Sequence, residues 1–183
     1  WQPDYIRTGR FGKFVENVVD WNLSRSRYWG CPLPAWSCDD CGKTKYVGGK
    51  EELVKLSGPL PENFELHRPW VDNIRWNCDC GGEMSREEYT IDVWYESGAA
   101  TFAQYHYPFE NQDEFDENNP AYNFITEAID QTRGWFYSLH AVGTAMFDKP
   151  AYESVLCMNH VLAEDGSKMS KSRGNAISPD EMF

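Results

Sequence analysis

Four cysteines in two close pairs, Cys38-Asp39-Asp40-Cys41 and Cys78-Asp79-Cys80, constrain this chain more than any other feature. Each pair runs straight into glycine, Gly42 after the first and Gly81-Gly82 after the second. Glycine lets backbone amides turn back toward the sulfurs, which is how a zinc-ribbon knuckle is built. The second pair is tighter than the usual Cys-x-x-Cys, and the stretch between the pairs is longer than the common template. Even so, four thiols so placed predict one closed, tetrahedral, structural Zn²⁺ site of Cys38, Cys41, Cys78 and Cys80. Four thiolates leave no open coordination position for chemistry. Buried or free thiols, or a redox pair, are the alternatives. Six cysteines in 183 residues are too few for a disulfide scaffold. Cys31 and Cys157 lie outside both pairs and are expected to be ordinary thiols. Between the pairs, Lys50 to Leu56 reads as a short helix stopped by Ser57-Gly58-Pro59.

A second constraint lies near the end of the chain, from Ala163 to Asn175. Lys168 and Lys171 share a short polar loop with Ser170 and Ser172, between Gly166 and Gly174. The apolar run Ser154 to Leu162 leads into it and reads as a buried strand. The loop therefore falls where a strand of an α/β sheet ends, the usual place for a ligand. Mobile ammonium groups and small hydroxyls suit polyphosphate charge developing in a transition state. A solvated basic loop is the plainer alternative, but Met169 is out of place on one.

The rest of the chain follows in order. Phe11, Phe14, Val15, Val18 and Val19 recur at helical spacing and predict an amphipathic helix. Asp20 to Tyr28 reads as a strand, with Arg25 and Arg27 on one face, either gripping a phosphate or carboxylate or merely solvated. Ile91 to Gly98 reads as a strand entering a loop, with Trp94 either core or site. Tyr105 to Asn119 is polar and acidic and reads as a surface loop. Asn123 to Asp130 predicts a strand and Thr132 to Phe147 a helix, with Trp135, Leu139, Val142 and Met146 as its apolar stripe. Glu127, Asp130 and Gln131 bunch at their junction, where carboxylates can accept from ribose hydroxyls or an ammonium group. Asp130 could instead cap the helix, which would leave Glu127 unexplained. Ser178 can cap a last helix with Pro179 at its first position.

The formal charge of -12 argues against this stretch being a main nucleic-acid surface. It contains no signal-peptide pattern and no apolar run long enough to span a bilayer, so a soluble cytoplasmic parent is expected. Starting at Trp1 without Met, the chain reads as an excised piece.

The string Lys168-Met169-Ser170-Lys171-Ser172 resembles a signature motif of the class I aminoacyl-tRNA synthetases. That resemblance implies a loop closing over the ATP phosphates, with Lys171 in contact, Lys168 assisting, and Ser170 and Ser172 on the ATP side. Ser24-Arg25-Ser26-Arg27-Tyr28-Trp29-Gly30-Cys31-Pro32-Leu33-Pro34 is similar to the segment that joins the editing insertion to the core in the isoleucyl, valyl and leucyl members. Leu66-His67-Arg68-Pro69-Trp70-Val71-Asp72 resembles a segment beside the paired-cysteine insert of some isoleucyl members. Asp92-Val93-Trp94-Tyr95-Glu96-Ser97-Gly98 resembles a motif whose Trp helps form the amino-acid pocket. Asp130 to Leu139 looks most like the isoleucyl branch.

By that likeness Glu127 contacts the adenylate, Asp130 and Gln131 hold the ribose and amino-acid end, and Trp135 walls the side-chain pocket. One departure is Ala128, where the family usually has Gly. Another is the absence of His-x-Gly-His, the family's first ATP motif. The implied fold is α/β: a partial Rossmann-like class I catalytic core (1–30 and 91–183) with a small zinc-ribbon insertion (31–90). The implied activity is part of the activation of isoleucine with MgATP and its transfer to tRNA(Ile), with no membrane partner. The piece alone is expected to be inactive and to self-associate. A valyl or leucyl member is the near alternative. A non-catalytic zinc-ribbon module for protein or RNA is the distant one, and it has no need of the lysine loop.

Overall fold

The computed structural model describes residues 1–116 and 121–182. The chain divides into two units, Trp1–Val19 with Gly98–Phe183, and Asp20–Ser97. The first opens with a π-helical turn, Arg7–Phe11, running into α1, Gly12–Glu16. The expected continuation to Val19 does not form. Asn17 leaves the helical region at φ -117°, and its side-chain amide donates back to the Lys13 carbonyl at 2.8 Å. Asn competes for backbone partners in this way and favours helix ends. Val18 and Val19 are left exposed, while Phe11 is buried.

The second unit begins at β1, Ser24–Arg25, which is all that forms of the strand expected over Asp20 to Tyr28. The Asn22 carboxamide accepts from the Ser24 N–H at 3.1 Å and turns the chain just before it. Arg25 is not free to grip a ligand, because its guanidinium bonds the buried Asp92 carboxylate at 2.5 Å. Next come β2 (Ala35–Cys38), β3 (Thr44–Tyr46), α2 (Lys50–Ser57), β4 (Trp76–Asn77), β5 (Glu83–Arg86), β6 (Thr90–Ile91) and α3 (Val93–Gly98). Strands β3-β2-β5-β4 form an antiparallel sheet over a small core of Trp36, Leu53, Val71 and Met84, and β1 pairs antiparallel with β6. Of the strand expected to run from Ile91 toward a loop at Gly98, only Ile91 is strand, and Val93–Gly98 is a helix. Asp92 Oδ1 accepts from the Trp94 N–H at 3.1 Å, as a helix-capping carboxylate does, and the chain coils from Val93 onward.

Asp72 is the electrostatic centre of this unit. Its Oδ2 accepts from Arg68 Nε and its Oδ1 from Arg86 Nε, both at 2.7 Å. The Arg86 side chain is only 1% exposed and has two carbonyl partners besides, Leu33 and Tyr89. Burial alone would raise the Asp72 pKa; the hydrogen bonds from Arg68 and Arg86 outweigh it and hold it below its ordinary value. A depressed carboxyl stabilises the fold above its ordinary pKa and stops doing so as pH falls through the folded-state value. Asp72→Asn should therefore cost about 3 kcal/mol at pH 7, because it strands a buried guanidinium. The gap between wild type and variant should close below about pH 4, read by urea unfolding of the pair at each pH. A gap that persists unchanged at pH 3 would contradict this account.

The chain returns to the first unit at Gly98, where a Cβ would lie 2.6 Å from the Ser138 carbonyl oxygen. Only glycine admits that approach without moving backbone. After α4 (Ala100–Ala103) the expected surface loop is in part an aromatic cluster. Phe115 is buried against Tyr105, Tyr107 and Phe147. Residues 117–119 of that expected loop lie outside the described ones. Then come β7 (Tyr122–Ala128), a 3-10 segment (Ile129–Arg133), α5 (Trp135–Phe147) and β8 (Tyr152–Met158). β7 and β8 are parallel, with Ile125 opposite Val155 and Glu127 opposite Cys157. A parallel pair needs a crossover, and α5 supplies it. Gln2 adds to the free side of β8, donating to the Val155 carbonyl and accepting from the Cys157 N–H, both at 2.8 Å.

Phe136 and Leu139 of α5 pack with Ile125, Tyr152, Val155 and Cys157. The expected stripe is partly displaced. α5 starts at Trp135, not Thr132, so Phe136 turns inward while Met146 is 51% exposed. On the other face of the strands, Phe124, Leu156 and Met158 are exposed. β8 ends at Met158, short of the expected Leu162, and Val161 and Leu162 are also exposed. Among the described residues, no helix is long and apolar enough to cross a membrane.

Candidate active site and metal centre

Glu127 lies at the C-terminal end of β7 and is exposed. Asp130 follows three residues on, in the 3-10 segment. Asp130 does not cap α5, whose N-cap is Gly134; Gln131 Oε1 instead accepts from the Trp135 N–H at 2.8 Å, while its amide nitrogen donates to Asp130 Oδ2 at 3.3 Å. Asp130 is thereby left with a half-exposed carboxylate. The sequence reading missed His160, whose Nδ1 lies 3.8 Å from Asp130 Oδ1. The strand expected from Ser154 to Leu162 ran through it, whereas β8 ends at Met158 and leaves His160 beyond the strand. Ala128 sits at φ -74° and ψ 161°, ordinary extended backbone, so its conformation makes no demand for glycine. Trp135 is half-buried in the first turn of α5. In the other unit, Trp94 is 41% exposed in the first turn of α3, so it is not core.

The lysine loop follows β8. A bridge between Leu162 and Lys168 closes a hairpin, with Gly166 at φ 76° making the turn. Lys171–Arg173 forms a single 3-10 turn, ended by Gly174 at φ 68°. Asn175 laces the loop together and was also missed. Its carboxamide accepts from the Ser170 N–H at 2.8 Å and donates to Ser167 Oγ at 3.1 Å and the Lys168 carbonyl at 3.4 Å. Ser170 and Ser172 share a hydroxyl contact at 2.7 Å. Asp165 is tied down in the turn, its carboxyl lowered chiefly by its hydrogen bond with the Ser167 hydroxyl. Met169 is half-buried, whereas Lys168 and Lys171 are exposed. Among the described residues neither lysine has a carboxylate partner. Two uncompensated cations on a preformed polar turn can receive phosphate charge.

The four paired cysteines converge at one end of the antiparallel sheet. Their sulfurs all lie within 4.8 Å of one another, with Cys38–Cys80 at 3.5 Å and Cys41–Cys78 at 3.8 Å. A tetrahedral Zn–S₄ site, with bonds of about 2.3 Å, needs sulfurs ~3.8 Å apart, so the donor set fits the ion. Both knuckles have the required glycine, Gly42 at φ 70° and Gly81 at φ 95°. The Gly42 N–H closes the first on the Cys38 carbonyl, and the Gly81 N–H closes the second on the Cys78 carbonyl, each at 2.9 Å. Lys43 and Asp79 clamp one knuckle to the other at 2.5 Å. As free thiols, Cys38 and Cys80 are shifted in opposite directions. Cys38 is lowered to about 7, first by the Cys41 backbone N–H. The Gly82 N–H would lower Cys80 likewise, but hydrogen bonds with its three sister thiols push it up to about 12. The described cluster can therefore hold a metal ion.

The family model for class I tRNA synthetases (I, L, M and V) matches residues 1–183. This chain belongs to that family. It is 53% identical to an isoleucine–tRNA ligase of Clostridium novyi, over all of this chain and 18% of that protein. It is 52% identical to one from Thermus thermophilus, over 98% of this chain and 17% of that protein. The chain thus spans about a fifth or less of the length of these curated relatives. A solved LeuRS–tRNA–LeuAMS ternary complex from Agrobacterium radiobacter K84 aligns over 97% of this chain and 26% of its own, at 24% identity and a TM-score of 0.57. The class I synthetase fold expected from the motifs is therefore the fold observed, with the cysteine cluster as an insertion compatible with a zinc ribbon.

Proposed function

We propose that this chain is part of an isoleucine–tRNA ligase, which activates isoleucine with MgATP to the adenylate and transfers it to tRNA(Ile). The observation that carries the reading is a pairing within one β-α-β unit. Glu127, Asp130 and Gln131 stand at the end of β7, and the loop with Lys168 and Lys171 follows its parallel neighbour β8. In this reading Lys171 takes charge from the ATP phosphates and Lys168 supports it, while Ser170 and Ser172 face the nucleotide. Asp130 accepts from the ribose, Glu127 and Gln131 orient the amino-acid end, and Trp135 bounds the side-chain pocket. Trp94, on the other unit, keeps its pocket assignment from its motif alone. A Zn²⁺ ion on Cys38, Cys41, Cys78 and Cys80 would hold the insertion in shape and take no part in the reaction. The catalytic core segments are residues 1–30 and 91–183, the insert residues 31–90, and the parent enzyme works in the cytoplasm.

Isoleucine-dependent pyrophosphate exchange by the longer enzyme carrying this chain tests the reading. Exchange driven equally well by leucine or valine would sink it. The 183-residue chain alone should support none, since so small a share of the relatives' length cannot orient both reactants. Trp135→Ala in the longer enzyme should raise the KM for isoleucine and admit bulkier apolar amino acids. Losing most of one half-buried indole wall is worth about 1–3 kcal/mol of binding, or roughly 5- to 150-fold. Unaltered discrimination between isoleucine and leucine would make Trp135 a packing residue only.

A further inference from the structure

In the first unit, on a chain of net charge -12, three cations gather where no carboxylate answers them. Arg10 and Lys13, from the π turn and α1, and Arg133, from the end of the 3-10 segment, line a cavity of about 480 Å³ with Gly9, Phe14 and Asn17. None of the lining residues is acidic. Among the described residues none of the three cations has a salt-bridge partner, although Arg7, one turn away, is paired with Asp4 at 2.9 Å. Two of them are held in place from the protein side. Arg10 Nε donates at 2.9 Å to the hydroxyl of the fully buried Thr132, which itself donates to the Ile129 carbonyl at 2.7 Å. Its remaining guanidinium nitrogens are thus available to a ligand. The Arg133 guanidinium lies over the Phe14 ring, 5.6 Å from its centroid, and Tyr137 packs edge-on to the same ring. Lys13 is exposed and, among the described residues, has no ion-pair partner. Like charges gathered and braced in this way cost stability unless an anion visits, and the forked guanidinium matches phosphate oxygens.

We propose that Arg10, Lys13 and Arg133 form a phosphate-binding cleft separate from the lysine loop, and that the phosphates it takes belong to an RNA strand. Free polyphosphate shares the same chemistry but already has a receiver in Lys168 and Lys171. An open cleft with three separately anchored cations suits successive phosphodiesters of a backbone, which position an RNA without reading its sequence. The assignment to RNA rests on the reading that this chain belongs to a tRNA ligase.

The test uses the longer enzyme carrying this chain, with Arg10→Gln/Lys13→Gln/Arg133→Gln combined and Lys13→Glu alone. Lys13→Glu touches no packed side chain, so it reports even if the combined variant folds poorly. Aminoacylation of a tRNA transcript and isoleucine-dependent pyrophosphate exchange are measured side by side across a salt series. The combined variant should raise the KM for tRNA about tenfold or more, and the slope of log affinity against log salt should fall by roughly 2–3; Lys13→Glu should lower that slope by about 1. Exchange should be unchanged in both. Unchanged KM and slope with normal exchange would overturn the cleft while leaving the ligase reading intact. A raised KM for ATP with an unchanged KM for tRNA would assign the cleft to free polyphosphate and overturn the RNA assignment. Wild-type enzyme lacking isoleucine-dependent exchange would instead remove the ligase reading, and the RNA assignment with it.

Discussion

Lys171→Ala, in the longer enzyme, should slow adenylate formation by about 30- to 1000-fold and leave the isoleucine KM nearly unchanged. The magnitude is that of one charge-assisted contact made in the transition state, about 2–4 kcal/mol. The direction comes from the loop. Lys171 begins a 3-10 turn, exposed and, among the described residues, without a carboxylate partner, so it breaks no described ion pair when it takes up developing phosphate charge. A cation that engages the transition state more than bound ATP lowers the turnover number when removed, not substrate binding. Pyrophosphate exchange at saturating isoleucine measures this. Lys171→Arg should recover part of the rate, because charge is kept and geometry is not. An unaltered turnover number with only a raised isoleucine requirement would remove Lys171 from the chemistry.

Zinc should bind at one ion per chain, and stripping it should dissolve the insert. Structural zinc contributes apparent free energies of about 10–16 kcal/mol in small metal-folded domains at neutral pH. The core that would remain in the second unit, chiefly Trp36, Leu53, Val71 and Met84, is too small to replace that. Cys78→Ser with Cys80→Ser should empty the site and expose the amides of β2 and β5 to hydrogen exchange. The amides of β7, α5 and β8, whose core of Phe136, Leu139, Ile125 and Val155 does not include the cysteine cluster, should stay protected. Metal analysis of protein purified without chelator gives the stoichiometry. Less than about a tenth of an equivalent, or full retention in the double variant, would end the zinc assignment.

The parts legible in the sequence were those where residue identity alone dictates geometry. The paired cysteines with their glycines forecast a four-sulfur cluster. Gly166 and Gly174, expected to bound the lysine loop, both take positive φ there. Lys50 to Leu56 forecast a helix, found as Lys50–Ser57. What stayed hidden was set by partners distant in the chain or by side chains competing locally. Ile91 to Gly98 alternates like a strand, yet the Asp92 carboxylate captures the Trp94 N–H and starts a helix. Apolar spacing carried α1 too far because nothing in Val18 or Val19 says whether a face awaits them. Gln131, not Asp130, bonds the first N–H of α5, because a 3-10 segment, invisible to periodicity, brought its longer side chain to the Trp135 N–H. Asn175 and His160 are single polar residues whose roles depend on folds of the loops around them.

The antiparallel pairing of β1 with β6, Ser24 against Ile91 and Arg25 against Thr90, has a consequence for how the first unit assembles. That unit is discontinuous: Gln2 must find β8 across most of the chain. Once β1 and β6 have met, the points at which the backbone enters and leaves the insert are fixed as neighbours, and the long detour becomes a short tether. Cutting the effective loop from Gln2 to β8 by less than half returns about 0.5 kcal/mol of closure entropy, a gain that arrives only if the insert folds first. The insert therefore acts on its host as a staple made of backbone, and a chain in which it is late to fold would find its first residues still searching for their edge.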